Sequence, residues 1–423
     1  MIQEFSIENT LSIKERQTIS FEPVQEKNED ALHYIDVGNT RLLKLAAIYG
    51  SNASGKTNVL NAVNFYINFI LNAFTDLKPQ EGTSFMPFAF DPSTKNSPGT
   101  FELVFFVDEI KYEYFLSLDR KHVYEENLFY SPKGQKKLIY QRIYNSTNKN
   151  YEGSVYEWKW GDSLLGSKKK IADMTRANTS FLNTAAQLKH PFLGKIYKFI
   201  ALSFLPMITP TTRGLLDYTI SKIENDESIR IKILGLLQKA DFGNIDDIKI
   251  ETKEIPPNVL NSLSDEIKED FKNIEGKFEI KDLLVSHQYG EHYFLPISRE
   301  SAGTQRLLQL GGPLFALMEG EHFICIDEIE SSLHQELLEF FFKTFLENST
   351  KSQILFSTHN LDLLDSEFLL DDEIWFCEKD NEGGSNYTSF AEYKGVRKGS
   401  SRKKLYSAGR FGAKPIISAL ILD

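Results

Sequence analysis

A parallel α/β fold, split in sequence by a mixed α+β insert, is what three features of this 423-residue chain predict. The first is a short apolar strand, Leu42 to Tyr49, that runs at once into a glycine loop, Gly50 to Thr57. Behind the loop, Asn58 to Ala73 places Val59, Leu60, Val63, Tyr66, Ile67, Ile70 and Leu71 at helical spacing, the pattern of a helix with one buried face. The second is Phe323-Ile-Cys-Ile-Asp327-Glu328, an apolar run that closes on two carboxylates. The third is the return, from Phe294 onward, of short apolar strands alternating with helical stretches.

These features divide the chain into an N-terminal lobe (1–74), an insert (75–288) and a C-terminal lobe (289–423). Ile2 to Phe21 alternates like a hairpin at a sheet edge. The insert opens with strand-rich stretches, Phe101-Glu-Leu-Val-Phe-Phe-Val and Lys111-Tyr-Glu-Tyr-Phe-Leu-Ser-Leu, and continues with helices near 188–203 and 219–240. It holds no repeat and no sustained heptad run, so no coiled-coil arm is expected.

With 41% hydrophobic and 25% charged residues, the composition is that of a globular protein. No stretch approaches the roughly 20 apolar residues of a membrane span, and Met1-Ile-Gln-Glu-Phe lacks the form of a secretion signal, so a cytoplasmic location away from membranes is expected. Cys325 and Cys377 lie in apolar runs and read as core residues. The net charge of −11 argues against non-specific coating of nucleic acid. Tyr393 to Pro415 is the local exception: Lys394, Arg397, Lys398, Arg402, Lys403, Lys404, Arg410 and Lys414 occur there without an acid. This stretch is either a solvated charge run or a surface for phosphates or an acidic partner.

Gly50-Ser51-Asn52-Ala53-Ser54-Gly55-Lys56-Thr57 matches G-x-x-x-x-G-K-[ST] between strand and helix, the context the mechanism demands. Glycines let the backbone wrap phosphates, and the helix that follows adds its positive end. Lys56 is the expected contact to the β- and γ-phosphates, and the Thr57 hydroxyl an expected ligand of Mg²⁺. At the far strand, Asp327 is the second expected Mg²⁺ residue and Glu328 the residue that orients or deprotonates water. Taken alone, that segment reads equally well as a strand running into an acidic turn.

Glu300-Ser301-Ala302-Gly303-Thr304-Gln305 precedes a helical run, Arg306 to Met318, and offers a serine hydroxyl and a glycine backbone at a helix N-terminus, a second anion-binding surface. After a further apolar strand, Gln353-Ile-Leu-Phe, comes Ser357-Thr358-His359-Asn360. The order of phosphate loop, signature, acidic strand and histidine resembles ABC-type (SMC-like) ATPase heads. In that resemblance Ser301 and Gly303 face the γ-phosphate bound by a second copy, His359 is the switch histidine, and Ile329-Glu330-Ser331-Ser332-Leu333-His334 is the dimer-contact loop. The signature departs from the commonest form at Ala302 and Thr304. Gln187 is a candidate for the glutamine-loop residue and reads equally as a helix-face residue.

Phe101-Glu-Leu-Val-Phe, Tyr112-Glu-Tyr and Tyr406-Ser-Ala-Gly409-Arg410-Phe411-Gly412-Ala413-Lys-Pro415 are similar to segments of stand-alone bacterial ATPases of the RloA and AbiL type. These are related to the PARIS ATPase AriA and to OLD-family heads. The resemblance implies an ATPase that uses ATP and Mg²⁺, forms a homodimer or higher homo-oligomer through ATP-sandwiched heads, and serves in anti-phage defence or abortive infection. OLD-type proteins carry a Toprim nuclease after the head. The segment after His359 is too short for one, so the expected effector is a separate Toprim-type nuclease or another toxin. The alternative reading is a repair or recombination ATPase that clamps DNA.

Overall fold

The computed structural model describes residues 1–24, 31–145, 155–240, 245–260, 277–395 and 399–412. They form two compact units, one of Met1–Thr209, Gly320–Ile329 and Leu346–Asp423, the other of Pro210–Glu319 and Glu330–Phe345. Among the described residues no helix is long and apolar enough to cross a membrane.

The first unit holds two large sheets and a two-stranded one. Strands β1 (Ile2–Glu8), β2 (Gln17–Ser20), β6 (Gly99–Val107), β7 (Ile110–Leu118), β8 (Val123–Ser131), β9 (Lys137–Tyr144) and β10 (Tyr156–Trp160) form an antiparallel sheet in the order β10-β9-β8-β7-β6-β1-β2. The expected hairpin Ile2 to Phe21 is thus one end of a sheet built mainly from the insert. A small pair, β3 (Tyr34–Val37) and β4 (Thr40–Leu43), stands apart. The other large sheet takes β5 (Leu45–Gly50), β14 (Phe323–Ile326), β15 (Gln353–Thr358), β16 (Ile374–Lys379) and β17 (Ser385–Ser389) in the order β14-β15-β5-β16-β17. The first four are parallel, and β17 turns back antiparallel on β16. This is the α/β head, interrupted by a mixed insert, that the strand and loop pattern predicts.

The single strand expected over Leu42 to Tyr49 is two. Lys44 divides β4 from β5 because its side chain turns into the interior, where the ammonium donates to the carbonyls of Leu346 (3.2 Å) and Ser349 (2.5 Å). Helix α1 (Lys56–Asp76) lies between the two sheets. Its buried face, including Val59, Leu60, Val63, Tyr66 and Ile70, follows the sequence period. Tyr66 stacks on Phe101 of β6, and its hydroxyl donates to the Tyr114 carbonyl of β7 at 2.7 Å. Burying such aromatic faces contributes the largest single increments to a core of this kind.

Short helices α2 (Lys168–Met174), α3 (Phe181–Gln187) and α4 (Pro191–Ser203) complete the unit. Pro191 starts α4 at its first turn, later than the sequence period suggests, because proline fits where no amide partner is needed. The Glu126 carboxylate, fully buried, accepts from the Phe181 (2.8 Å) and Leu182 (3.2 Å) amides at the positive end of α3 and from the Tyr114 and Tyr140 hydroxyls. Arg142, equally buried, brings Nε within 2.8 Å of the same carboxylate and lies over the Tyr156 ring.

The second unit contains α5 (Leu215–Asn225), α6 (Glu227–Lys239), β11 (Ile245–Glu254), α7 (Pro257–Leu260), β12 (Glu279–Tyr289), β13 (Glu291–Pro296), α8 (Ala302–Glu319) and most of α9 (Gln335–Asn348). The one helix expected over 219–240 breaks at Asp226, whose extended backbone and side chain, accepting from the Ser228 amide at 2.8 Å, start a new helix. In α8, Pro313 has no amide to offer the Gln309 carbonyl. Thr219 of α5 packs there: its hydroxyl donates to the Leu215 carbonyl at 3.1 Å, lies 3.4 Å from the Gln309 carbonyl and accepts the Gly312 amide at 3.2 Å.

The buried pair makes a direct test. Arg142→Ala leaves the Glu126 charge without its cation in the interior, and we expect a loss of about 3–5 kcal/mol in urea unfolding. Adding Glu126→Gln to that variant is expected to recover part of the loss.

Candidate functional site

Every residue of the phosphate loop sits where the parallel sheet of the first unit ends. β5 delivers Gly50 to its carboxyl edge, and the chain wraps through Ser51, Asn52, Ala53, Ser54 and Gly55 into the first turn of α1, where Lys56 and Thr57 lie. Gly50 and Gly55 are demanded by their surroundings. A Cβ on Gly50 would fall 2.4 Å from the Cys377 carbonyl oxygen. At Gly55, φ is +116° and a Cβ would meet the Ser385 hydroxyl at 2.1 Å. Ala53 also takes a left-handed conformation, at φ 62°.

Side chains from distant parts of the sequence hold the loop from behind. Ser385 donates to the Ser54 carbonyl (2.5 Å), and its hydroxyl oxygen lies within hydrogen-bond distance of the Ser12 hydroxyl (2.7 Å). The Cys377 thiol donates to the same Ser54 carbonyl at 3.3 Å, and the Tyr387 hydroxyl to the Gly55 carbonyl at 2.7 Å. Asn58 reaches Ser12 at 2.7 Å. Sequence reading misses Ser12, Ser385 and Tyr387 altogether, since no motif marks isolated residues that meet only through the fold. It reads Cys377 rightly as a core residue. Burial pushes the Cys377 thiol up to about 11 and the Cys325 thiol higher still.

The Lys56 ammonium donates to the Gly50 (2.9 Å) and Ser51 (3.0 Å) carbonyls. One carboxylate oxygen joins three strands' worth of structure: Asp327 Oδ1 accepts from the Thr57 hydroxyl at 3.0 Å and the Ser357 hydroxyl at 2.5 Å. Asp327 is buried, yet its Oδ2 makes no hydrogen bond among the described residues. A hydroxyl and a carboxylate this close form the hard oxygen donor set that suits Mg²⁺. A glycine loop that leads straight into a helix N-terminus suits a polyphosphate.

Glu328 follows in a left-handed conformation, φ 46°, uncommon for a residue with a side chain. Its amide is clamped by the Ser357 hydroxyl at 2.9 Å. The turn carries its carboxylate out of the strand direction, to 3.8 Å from His359 Nε2. An open cleft of about 370 Å³ is lined by Asn52, Ala53, Gly55, Lys56, Thr57, Asn58, Glu328, His359 and Lys379. The structure therefore gathers the loop, Thr57, Asp327, Glu328 and His359 at one edge. It also brings in Lys379, which no motif marked. Gln187 is exposed at the end of α3 and does not line the cleft.

Ser301 and Gly303 belong to the second unit. Ser301 precedes α8 and accepts from the Thr304 amide at 3.1 Å, so the helix begins at Ala302, four residues ahead of the run expected from Arg306. Gly303 lies against the turn at Ser332: a Cβ on it would lie 3.4 Å from the Ser332 carbonyl. Glu300 is held by His287 at 2.8 Å.

The basic stretch after Tyr393 is partly consumed by internal pairs. In α10 (Arg402–Ser407), Lys403 pairs with Asp362, and Arg402 pairs with Asp371 at 3.0 Å and donates to the Leu364 and Leu369 carbonyls. Phe411 stacks on Phe376 of β16, centroids 4.4 Å apart. Arg397, Lys398 and the segment Ala413 to Pro415, with Lys414, lie outside the described residues.

Residues 45–152 and 217–365, more than half of the chain, match the family described as "AAA domain, putative AbiEii toxin, Type IV TA system". The chain belongs to this AAA-domain family. The matched segments of the AAA-domain chain contain the phosphate loop, the signature, Asp327, Glu328 and His359. No curated protein matches. Similar solved structures include an Smc head bound to the C-winged helix domain of ScpA, at 15% identity and a TM-score of 0.43, covering 92% of this chain and 96% of that one. The SMC head domain from Thermotoga maritima has 15% identity and a TM-score of 0.40, covering 92% and 98%. An Smc head with an extended coiled coil, bound to a ScpA domain derived from Pyrococcus furiosus, has 13% identity and a TM-score of 0.41, covering 92% and 95%.

Gly50→Ala drives a Cβ into a backbone oxygen that cannot rotate away, and we expect it to lower stability by about 1–3 kcal/mol in urea unfolding. With both thiols buried and raised, Ellman's reagent at neutral pH is expected to label neither cysteine of the native AAA-domain protein and to label both after denaturation.

Proposed function

We propose that this chain is an ATPase whose site is completed when a second copy supplies Ser301 and Gly303, and that the resulting closure controls a separately encoded nuclease or toxin. The observation that carries the reading is Asp327 Oδ1, which ties Thr57 of the phosphate loop to Ser357 while Glu328 and His359 stand over the same cleft.

The roles follow from placement. The loop amides and Lys56 hold the phosphates, and Thr57 with Asp327 would hold Mg²⁺, which supplies charge neutralisation on the phosphate oxygens when bound. Glu328, aimed into the cleft by its left-handed backbone, orients water and takes its proton; His359, with Nε2 3.8 Å from that carboxylate, can share charge with the terminal phosphate. Two half-sites that need each other make a two-state element that ATP closes and hydrolysis opens.

The family description names a toxin and a type IV toxin–antitoxin system, which supports a defence setting and an effector partner. Within that setting, the C-terminal motif around Tyr406 and Phe411 favours the RloA and AbiL type. The internal pairing of Arg402 and Lys403 weighs against a DNA clamp built on the basic stretch.

Lys56→Ala is expected to abolish ATP binding, measured by equilibrium dialysis. Glu328→Gln is expected to bind ATP normally, to lower turnover by a factor of about 10² or more, and to accumulate as a dimer in size-exclusion chromatography with ATP and Mg²⁺. Normal turnover by Glu328→Gln, or a monomer under those conditions, would sink the proposal.

A further inference from the structure

Lys379 ends β16 and lines the phosphate-loop cleft, and the mechanism above gives it no task. It is exposed, and among the described residues its ammonium has neither an ion-pair partner nor a hydrogen bond. The acids around it are otherwise engaged. Asp380 accepts the amides of Glu382 and Gly384, both at 2.8 Å, and Glu382 pairs with Lys14 at 2.5 Å. Glu378 lies on the opposite face, where its carboxylate sits so close to Gly412 that a Cβ there would fall 1.6 Å from Oε2.

The direction of Lys379 follows from strand alternation. The Cys377 thiol points at the loop carbonyl of Ser54, and a residue two positions on along a strand shares that face. The cross-strand partner of Lys379 is Ser385, which touches the same carbonyl, so the lysine stands beside the loop near Gly55. Sheet order then fixes its flank. In β14-β15-β5-β16, Glu328 and His359 lie beyond the two strands on one side of β5, and Lys379 lies beyond the strand on the other. The cleft is therefore lined by a carboxylate and an imidazole on the flank where the terminal phosphate is attacked, and by an ammonium on the opposite flank.

Resting on the ATPase reading above, we propose that Lys379 is a nucleotide-binding residue that grips the nucleoside-side phosphates, those ATP and ADP share, and takes no part in the attack on the terminal one. Such a residue strengthens binding of both nucleotides equally and leaves the chemical step alone.

The experiment is equilibrium binding of fluorescent ATP and ADP analogues to wild type, Lys379→Ala and Lys379→Arg, with steady-state kinetics and a thermal melt of each. Lys379→Ala is expected to weaken ATP and ADP alike by about tenfold, to raise KM with kcat within about twofold, and to melt like wild type, because the side chain is exposed. Lys379→Arg is expected to recover most of the affinity. Binding by Lys379→Ala within twofold of wild type overturns the proposal. So does a loss confined to ATP, which would move the ammonium to the terminal phosphate. Failure of wild type itself to bind either nucleotide overturns the ATPase reading together with this one, whereas wild-type binding that Lys379→Ala leaves untouched overturns this one alone.

Discussion

The parallel alignment of β14, β15, β5 and β16 is the constraint on which the rest of the site depends. Strands that run the same way end at the same edge, and there each delivers a different group: Asp327 and Glu328 from β14, His359 from β15, the glycine loop from β5 and Lys379 from β16. Parallel pairing also requires long connections between neighbours. That is why residues so distant in sequence can share one cleft, and why an insert of many strands can be accommodated between β5 and β14 without disturbing it.

Peptide planarity explains why the loop needs so many supports. The carbonyl of one residue and the amide of the next point in opposite directions. Side chains of Ser385, Cys377 and Tyr387 fix the Ser54 and Gly55 carbonyls on the sheet side. The amides of Gly55 and Lys56 are thereby turned the other way, as a phosphate-binding loop requires. Anion binding at this helix start is thus prepared by hydroxyl and thiol donors behind the loop, among them a buried cysteine whose thiol burial pushes up to about 11.

The residues legible in the sequence were those whose chemistry demands a local string. The loop from Gly50 to Thr57 and the apolar strand into Asp327 declare themselves because glycine conformations, a lysine and a strand-end carboxylate must occur at set spacing. The period of α1 showed its buried face for the same reason. What stayed hidden depends on contacts between distant segments. Lys44 looks like one polar residue in a strand until the carbonyls of Leu346 and Ser349 are seen to receive it. Asp226 splits a helix only because its side chain caps the next one. Strand alternation alone could have turned Lys379 toward the loop, but only once Cys377 was known to face it.

The segment spanning residues 401–412 packs behind both flanks of the cleft. Ser401, Arg402 and Lys403 hold the turn Leu361–Asp365, which follows directly on His359 and Asn360, through Asp365, the Leu364 carbonyl and Asp362. Farther along, Phe411 stacks on Phe376, three residues before Lys379, and Gly412 lies against Glu378. Support behind the histidine flank and behind the lysine flank thus comes from one part of the chain that lies outside the cleft.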